Sequence, residues 1–273
     1  TPRNAIEKRL DMRYVMVNEQ KHTTVLFSNF KAYLGYFDVK YTHSKRNKLK
    51  PYDVQLNYQL ANAQSVFQKI TAEYNAFFDY GEENKGLTVR GFAGLFLQKP
   101  GDGKDERAYF RLAENNGYYD YLYDHAQFGR GETKINESNL FTQQLMPTGS
   151  GFRTYSNVAL TDDWVAAANF TSTIPGVLPL RLFFDVAAIN SKSNTINGNT
   201  GARGVLYQAN LYYVTGLSVW LLKGAFQVNF PVFADPLTDK SWESYNSVGQ
   251  RMTFTLKLNL MNPIKQIRET SLF

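Results

Sequence analysis

From Lys69 to Tyr80 the chain reads Lys-Ile-Thr-Ala-Glu-Tyr-Asn-Ala-Phe-Phe-Asp-Tyr, and its polar and apolar side chains alternate at every second position. Ile70, Ala72, Tyr74, Ala76, Phe78 and Tyr80 form one set, while Lys69, Thr71, Glu73, Asn75 and Asp79 dominate the other. A helix of 3.6 residues per turn would scatter these charges around its circumference, whereas a strand of period two separates them onto opposite faces. The alternation lasts about ten residues, which is the span of a strand that crosses a lipid bilayer at a tilt.

The pattern recurs. Leu87, Val89, Ala93, Leu95 and Leu97 alternate with Thr88, Arg90 and Gly94, and the polar run Gly81–Gly86 before them predicts a hairpin that sets Tyr80 against Leu87. Trp164, Ala166, Ala168 and Phe170 oppose Asp163, Asn169 and Thr171; Leu178, Leu180, Leu182, Phe184, Val186 and Ala188 oppose Arg181 and Asp185. Thr215-Gly216 reads as a two-residue turn that pairs Val214 with Leu217 and carries Trp220 and Phe226 onto the apolar face, against Lys223. Met252, Phe254, Leu256, Leu258 and Leu260 alternate with Arg251, Thr253, Thr255, Lys257 and Asn259. Weaker strands are expected near 12–18, 24–42, 54–62, 107–114 and 151–160.

Composition narrows the classes. Hydrophobic residues make up 43% and mean hydropathy is −0.39, the values of a soluble chain, but aromatic content reaches 15%. Aromatic and β-branched side chains suit a pleated, half-buried surface. No apolar run of about 18 residues exists, which excludes a helical membrane protein but not a barrel, whose strands show only one face to lipid. The chain has no cysteine, so disulfides, thiol catalysis and Cys-based metal sites are excluded together. Net charge is +6 with a pI near 9.2.

A soluble sandwich would show the same alternation. Three features favour the membrane: strands longer than the usual five or six residues, charged polar faces, and the terminal Phe273. Long polar stretches at His43–Asp53, Lys99–Arg107, Glu114–Ser138, Asn190–Arg203 and Ala234–Gln250 contrast with the short Gly81–Gly86 and Thr215-Gly216, as for a barrel whose rims differ. The expectation is an all-β, antiparallel transmembrane β-barrel of about 12 strands, with 10 to 14 as the range. It forms a single domain over 1–273, with 1–20 as a connector from an upstream domain and 261–273 as a tail. A secretion signal would have to precede Thr1.

Catalytic signatures are absent. His22, His43 and His125 lie far apart and start no His-Glu-x-x-His pattern, and there is no nucleophile elbow or P-loop. The pairs Glu82-Glu83, Asp102 with Asp105, and Asp162-Asp163 read as acidic turns. The basic cluster Lys45–Lys50 and the tail Lys265–Arg268 lack the interleaved aromatics of a nucleic-acid surface, so solvent, acidic headgroups or a protein partner are the expected contacts and nucleic acid is not. No cofactor or metal is expected. The candidate site is the barrel interior, lined by Lys69, Glu73, Arg90, Arg181, Asp185, Lys223, Arg251 and Lys257. Pairing of these charges across the lumen is favoured over an open pore, because unpaired interior charge is costly. The lipid-facing set is Ile70, Tyr74, Phe78, Leu182, Phe184, Trp220, Phe226, Phe254, Leu256 and Leu258.

Leu87-Thr-Val-Arg-Gly-Phe92, Tyr119-Asp-Tyr with Phe128-Gly-Arg130, Gly151-Phe-Arg153, Asp163-Trp-Val-Ala-Ala-Ala-Asn169 and Pro179-Leu-Arg-Leu-Phe-Phe-Asp185 resemble the C-terminal outer-membrane barrel region of gram-negative envelope proteins. That region is similar to surface-antigen barrels fused to aminopeptidase-N-like metallopeptidase domains of the gluzincin class. The resemblance spans about residues 60–260. It implies an anchor or scaffold within a larger envelope protein or complex, with any catalysis outside this chain, since the zinc signature is absent. A pore for small solutes is the alternative, and a membrane-bound enzyme with its site at the long loops is a further one.

Overall fold

The computed structural model describes residues 5–22, 29–46, 50–62, 66–81, 85–100, 108–113, 121–122, 124, 145–146, 151–154, 159–176, 179–196, 203–242 and 248–256; in several strand ends only the backbone is described. The long strands are β1 (Ala5–His22), β2 (Asn29–Arg46), β3 (Tyr52–Asn62), β4 (Val66–Asp79) and β5 (Gly86–Gln98). Three two-residue strands follow, β6 (Phe110–Arg111), β7 (Leu145–Met146) and β8 (Leu160–Thr161). Then come β9 (Trp164–Thr173), β10 (Leu180–Ile196), β11 (Arg203–Leu221), β12 (Phe226–Ala234), the short helix α1 (Pro236–Trp242) and β13 (Thr253–Leu256).

Ten of these strands form one antiparallel meander, in the order β1-β2-β3-β4-β5-β9-β10-β11-β12-β13, and β7 adds in parallel to the outer edge of β13. Among the described residues β1 and β13 do not pair, so the sheet is open as described. The all-β expectation therefore holds. The ten antiparallel strands lie at the lower end of the expected range.

Neighbouring strands run in opposite directions, so successive connections leave opposite rims. Residues 47–51, 80–85, 174–179 and 222–225 connect strands at one rim, and all four are short. Residues 23–28, 63–65, 99–163, 197–202 and 235–252 connect them at the other, which carries both long connections. The short turns are local in origin. In one, the Asp79 carboxylate accepts the Gly81 N–H at 2.8 Å, and Gly81 takes φ 88°, a conformation open to a residue without Cβ.

Several expectations are corrected. Thr215-Gly216 is no turn: β11 runs unbroken through it, paired with β10 from Leu180↔Val219 to Ile196↔Arg203. Gly216 is there for space, since a Cβ would collide with the Phe230 carbonyl oxygen and lie 3.0 Å from the Phe183 ring. The Gly81–Gly86 hairpin closes two residues away from the expected register, with Phe78 opposite Leu87 and Tyr74 opposite Gly91, so the faces are unchanged. His43–Asp53 and Asn190–Arg203 are mostly strand, and Lys99–Arg107 with Glu114–Ser138 belongs to a single connection. Residues 151–154 are not strand.

That connection, residues 99–163, leaves β5 and returns to its sheet neighbour β9; β7 within it joins the edge of β13, and its other described parts lie on one face of the sheet. Phe110 sits against Phe96 at 4.9 Å between ring centroids, above Gly94, where an added Cβ would lie 2.6 Å from the ring. Tyr121 meets Tyr36 of β2 and Phe67 of β4. Leu34, Tyr36, Ala61, Phe67, Phe96, Val165, Phe183, Ile189, Tyr212 and Val214 share one buried cluster with Phe110, Leu112 and Phe152 of the insert. Side chains from β2 through β11 thus converge on one body, which requires the sheet to curl around it.

Candidate functional site

The strand register sorts every side chain onto the inner face, toward the insert, or the outer face. Lys69, Glu73, Arg90, Arg181 and Asp185 all fall on the inner face. Three of them are joined. Arg90 Nη2 donates to Glu73 at 2.8 Å and Nη1 to Asn169 at 3.0 Å, and Asn169 Nδ2 donates to Asp185 at 2.9 Å. Asn75 also donates to Glu73, at 2.7 Å.

Asp185 is wholly buried, and its principal partner was not legible in the alternation. Arg153, carried by the insert, donates from Nη2 to Asp185 Oδ1 at 2.5 Å and from Nε and its backbone N–H to Oδ2 at 3.1 and 3.0 Å. Its Nη1 reaches Thr171 Oγ1 at 2.5 Å, and its guanidinium lies 4.6 Å from the Phe183 centroid. Every strong donor direction of the arginine is used, which offsets the desolvation of a buried ion pair. The Arg153 carbonyl accepts the Thr253 hydroxyl at 2.8 Å, so the same residue ties β10 to β13. Gly151-Phe-Arg153 stands out in the sequence by resemblance alone; spacing carries no sign that it enters the interior.

The other predicted interior residues stand apart. Lys69 Nζ lies 4.9–5.9 Å from the rings of Tyr121, Phe110, Phe67 and Phe96, and donates to the Ala108 carbonyl at 3.4 Å. Arg181 stacks on Trp220 at 3.9 Å. Arg251 belongs to a 3-10 turn before β13 and lies over Trp242 of α1 at 5.0 Å. The Lys223 side chain, Lys257 and Leu258 lie outside the described residues. Two further links went unanticipated. Arg13 of β1 pairs with Asp38 at 2.8 Å and with Asp124 of the insert, and Tyr121 donates to Gln59.

The outer face is apolar. Ile70, Tyr74, Phe78, Leu182 and Phe184 are exposed there, and Phe226, Phe254 and Leu256 lie on the same side, with the Phe226 and Phe254 rings stacked at 6.0 Å. Trp220 is a correction. Because β11 continues through Gly216, Trp220 faces inward and donates from Nε1 to Ser218 at 3.0 Å. Among the described residues no sheet or helix covers the outer face; Leu10, Met12, Tyr14, Met16, Leu211 and Leu217 are also exposed on it. Soluble monomers rarely expose contiguous apolar surface of more than a few hundred Å².

Asp162 and Asp163 are structural, not solvated: Asp162 is buried, and Asp163 accepts from Asn190 at 2.5 Å and pairs with Lys99 at 3.2 Å. Among the described residues no three His, Cys, Asp or Glu gather as metal ligands. No family model matches this chain, and comparison with curated proteins and with solved structures yields no match.

Proposed function

We propose that the meander closes between β1 and the edge formed by β13 with β7 into a β-barrel that spans the outer membrane of a gram-negative envelope. In this reading its own connection, residues 99–163, fills the lumen, and the barrel serves as a membrane anchor or scaffold. The observation that carries the reading is the pairing of an exposed, apolar outer face with an inner face whose charges are matched with one another, as Arg90 with Glu73, or with the insert, as Asp185 with Arg153. In a bilayer such an outer face is at home, and only a closed sheet leaves no strand edge unpaired in hydrocarbon. The rim asymmetry supports the same reading, since barrels of this kind carry short turns on one side and longer loops on the other.

An anchor is favoured over a pore because the interior is occupied. Phe67, Phe96, Phe110 and Phe152 are buried in the midst of the inner face, where a conduit would hold water. The test has two arms. Refolded protein inserted into vesicles should run faster on a detergent gel unheated than boiled, and should give no channel events in planar bilayers. Steady conductance would sink the anchor reading. Absence of the gel shift in every vesicle composition would sink the membrane assignment itself.

A further inference from the structure

We propose that Lys8, His43 and Lys45 form a headgroup site for an anionic phospholipid in the leaflet at the short-turn rim. The inference rests on the membrane reading above. Among the outer-face residues of the ten-strand meander whose side chains are described, Lys8 and Lys45 are the only lysines, and there is no arginine or carboxylate; by register Lys31, Lys192 and Arg203 share that face near the opposite rim. They are neighbours: Lys8 pairs with His43 across β1 and β2, and Lys45 lies two residues along, opposite Ile6. Glu7, between Ile6 and Lys8 in sequence, points to the other face by alternation.

Two cations with no anion beside them on an apolar wall require an explanation. Neither lysine forms an ion pair among the described residues. Placed in mid-bilayer they would be strongly unfavourable, but both lie near strand ends at the rim of residues 47–51, where a long stem can follow apolar surface and lift its ammonium to headgroup level. The surroundings fit a lipid better than a free ion. Ile6 and Leu10, 57% and 58% exposed, flank Lys8 on the same face and offer a surface for acyl chain. The Tyr52 ring stacks on His43 with an interplanar angle of 12°, and its hydroxyl lies 3.3 Å from Nε2, so the imidazole is held by Tyr52 at the position that neighbours both lysines. A phosphodiester at the interface would meet two ammonium donors above an apolar shelf.

The test uses the full chain in phosphatidylcholine vesicles that contain spin-labelled phosphatidylglycerol or spin-labelled phosphatidylcholine. Wild type should hold the anionic label in preference to the zwitterionic one. Lys8→Gln/Lys45→Gln should lower that preference about fivefold, while Lys8→Arg/Lys45→Arg and the opposite-rim control Lys240→Gln should keep it. All variants should retain the gel shift of an inserted barrel. Equal selectivity in wild type and the double Gln variant would overturn the proposal, as would loss of the bound label on addition of inorganic phosphate at unchanged ionic strength, which would mark a free-anion site. A wild type that inserts into no vesicle would instead remove the membrane reading beneath it.

Discussion

Asp185 has no exposed surface and takes three hydrogen bonds from Arg153. Asp185→Ala leaves a guanidinium buried against Phe183 without its counter-charge. Removing one partner of such a pair costs about 3–5 kcal/mol, so the urea midpoint of the refolded protein should fall markedly. Replacing both partners, as Arg153→Met/Asp185→Leu, should recover part of the loss, because apolar pairs of similar volume tolerate the same burial. A midpoint for Asp185→Ala equal to wild type would show that the insert is not held there. The placement of Asp185 on the inner face was legible from alternation with Leu182, Phe184 and Val186. Its partner was not, because period-two patterning reports which way a strand residue points and says nothing of what a non-strand segment brings to meet it.

At the scale of elements, faces were easier to read than registers. The apolar set of β4 and the apolar set of β5 do meet, but Phe78 stands opposite Leu87 and not Val89. A shift of two residues preserves every face, so hydrophobicity cannot detect it, whereas a shift of one would invert the sheet. Turn chemistry decides between the two, and here Tyr80 N–H donates to the Lys85 carbonyl at 3.0 Å, which closes a tighter loop than composition implied. The chain has no cysteine, so paired substitutions read register without background. Phe78→Cys/Leu87→Cys should be bridged efficiently by a short bifunctional thiol reagent and Phe78→Cys/Val89→Cys poorly; the reverse ranking would refute the register. The misreading of Thr215-Gly216 has a related cause. A glycine between two alternating runs is a turn signal when its missing Cβ frees φ, but at Gly216 the missing Cβ makes room for the Phe230 carbonyl of β12 and the Phe183 ring. The wrong turn carried Trp220 to the wrong face.

For the whole molecule, the all-β antiparallel sheet followed from the length and spacing of alternating segments, whereas the lengths of the connections did not, since His43–Asp53 and Asn190–Arg203 are mostly strand and Thr215-Gly216 is no turn. The filled interior did not follow either, because the weak alternation near 107–114 and 151–160 reads as further wall strands and does not announce that these segments turn inward. Removal of residues 99–163 is the direct test of what they do. Joining Gln98 to Trp164 through a short Asn-Gly turn should leave a protein that still inserts into vesicles, melts at a lower temperature for want of the Phe110 and Phe152 contacts, and now conducts ions in planar bilayers. A shortened protein that inserts but stays silent would show that the insert is not what seals the lumen.

The pairing of β5 with β9 has a wider consequence. From Leu87↔Ser172 to Leu95↔Trp164 these strands are bonded as the two arms of an ordinary hairpin, so the excursion between them is, to the wall, only an oversized loop. Casing and stopper are therefore separable at this seam: the sequence of one can drift, lengthen or be exchanged for another folded payload without disturbing the β5–β9 ladder, provided that the β7 and Arg153 contacts at β13 are kept.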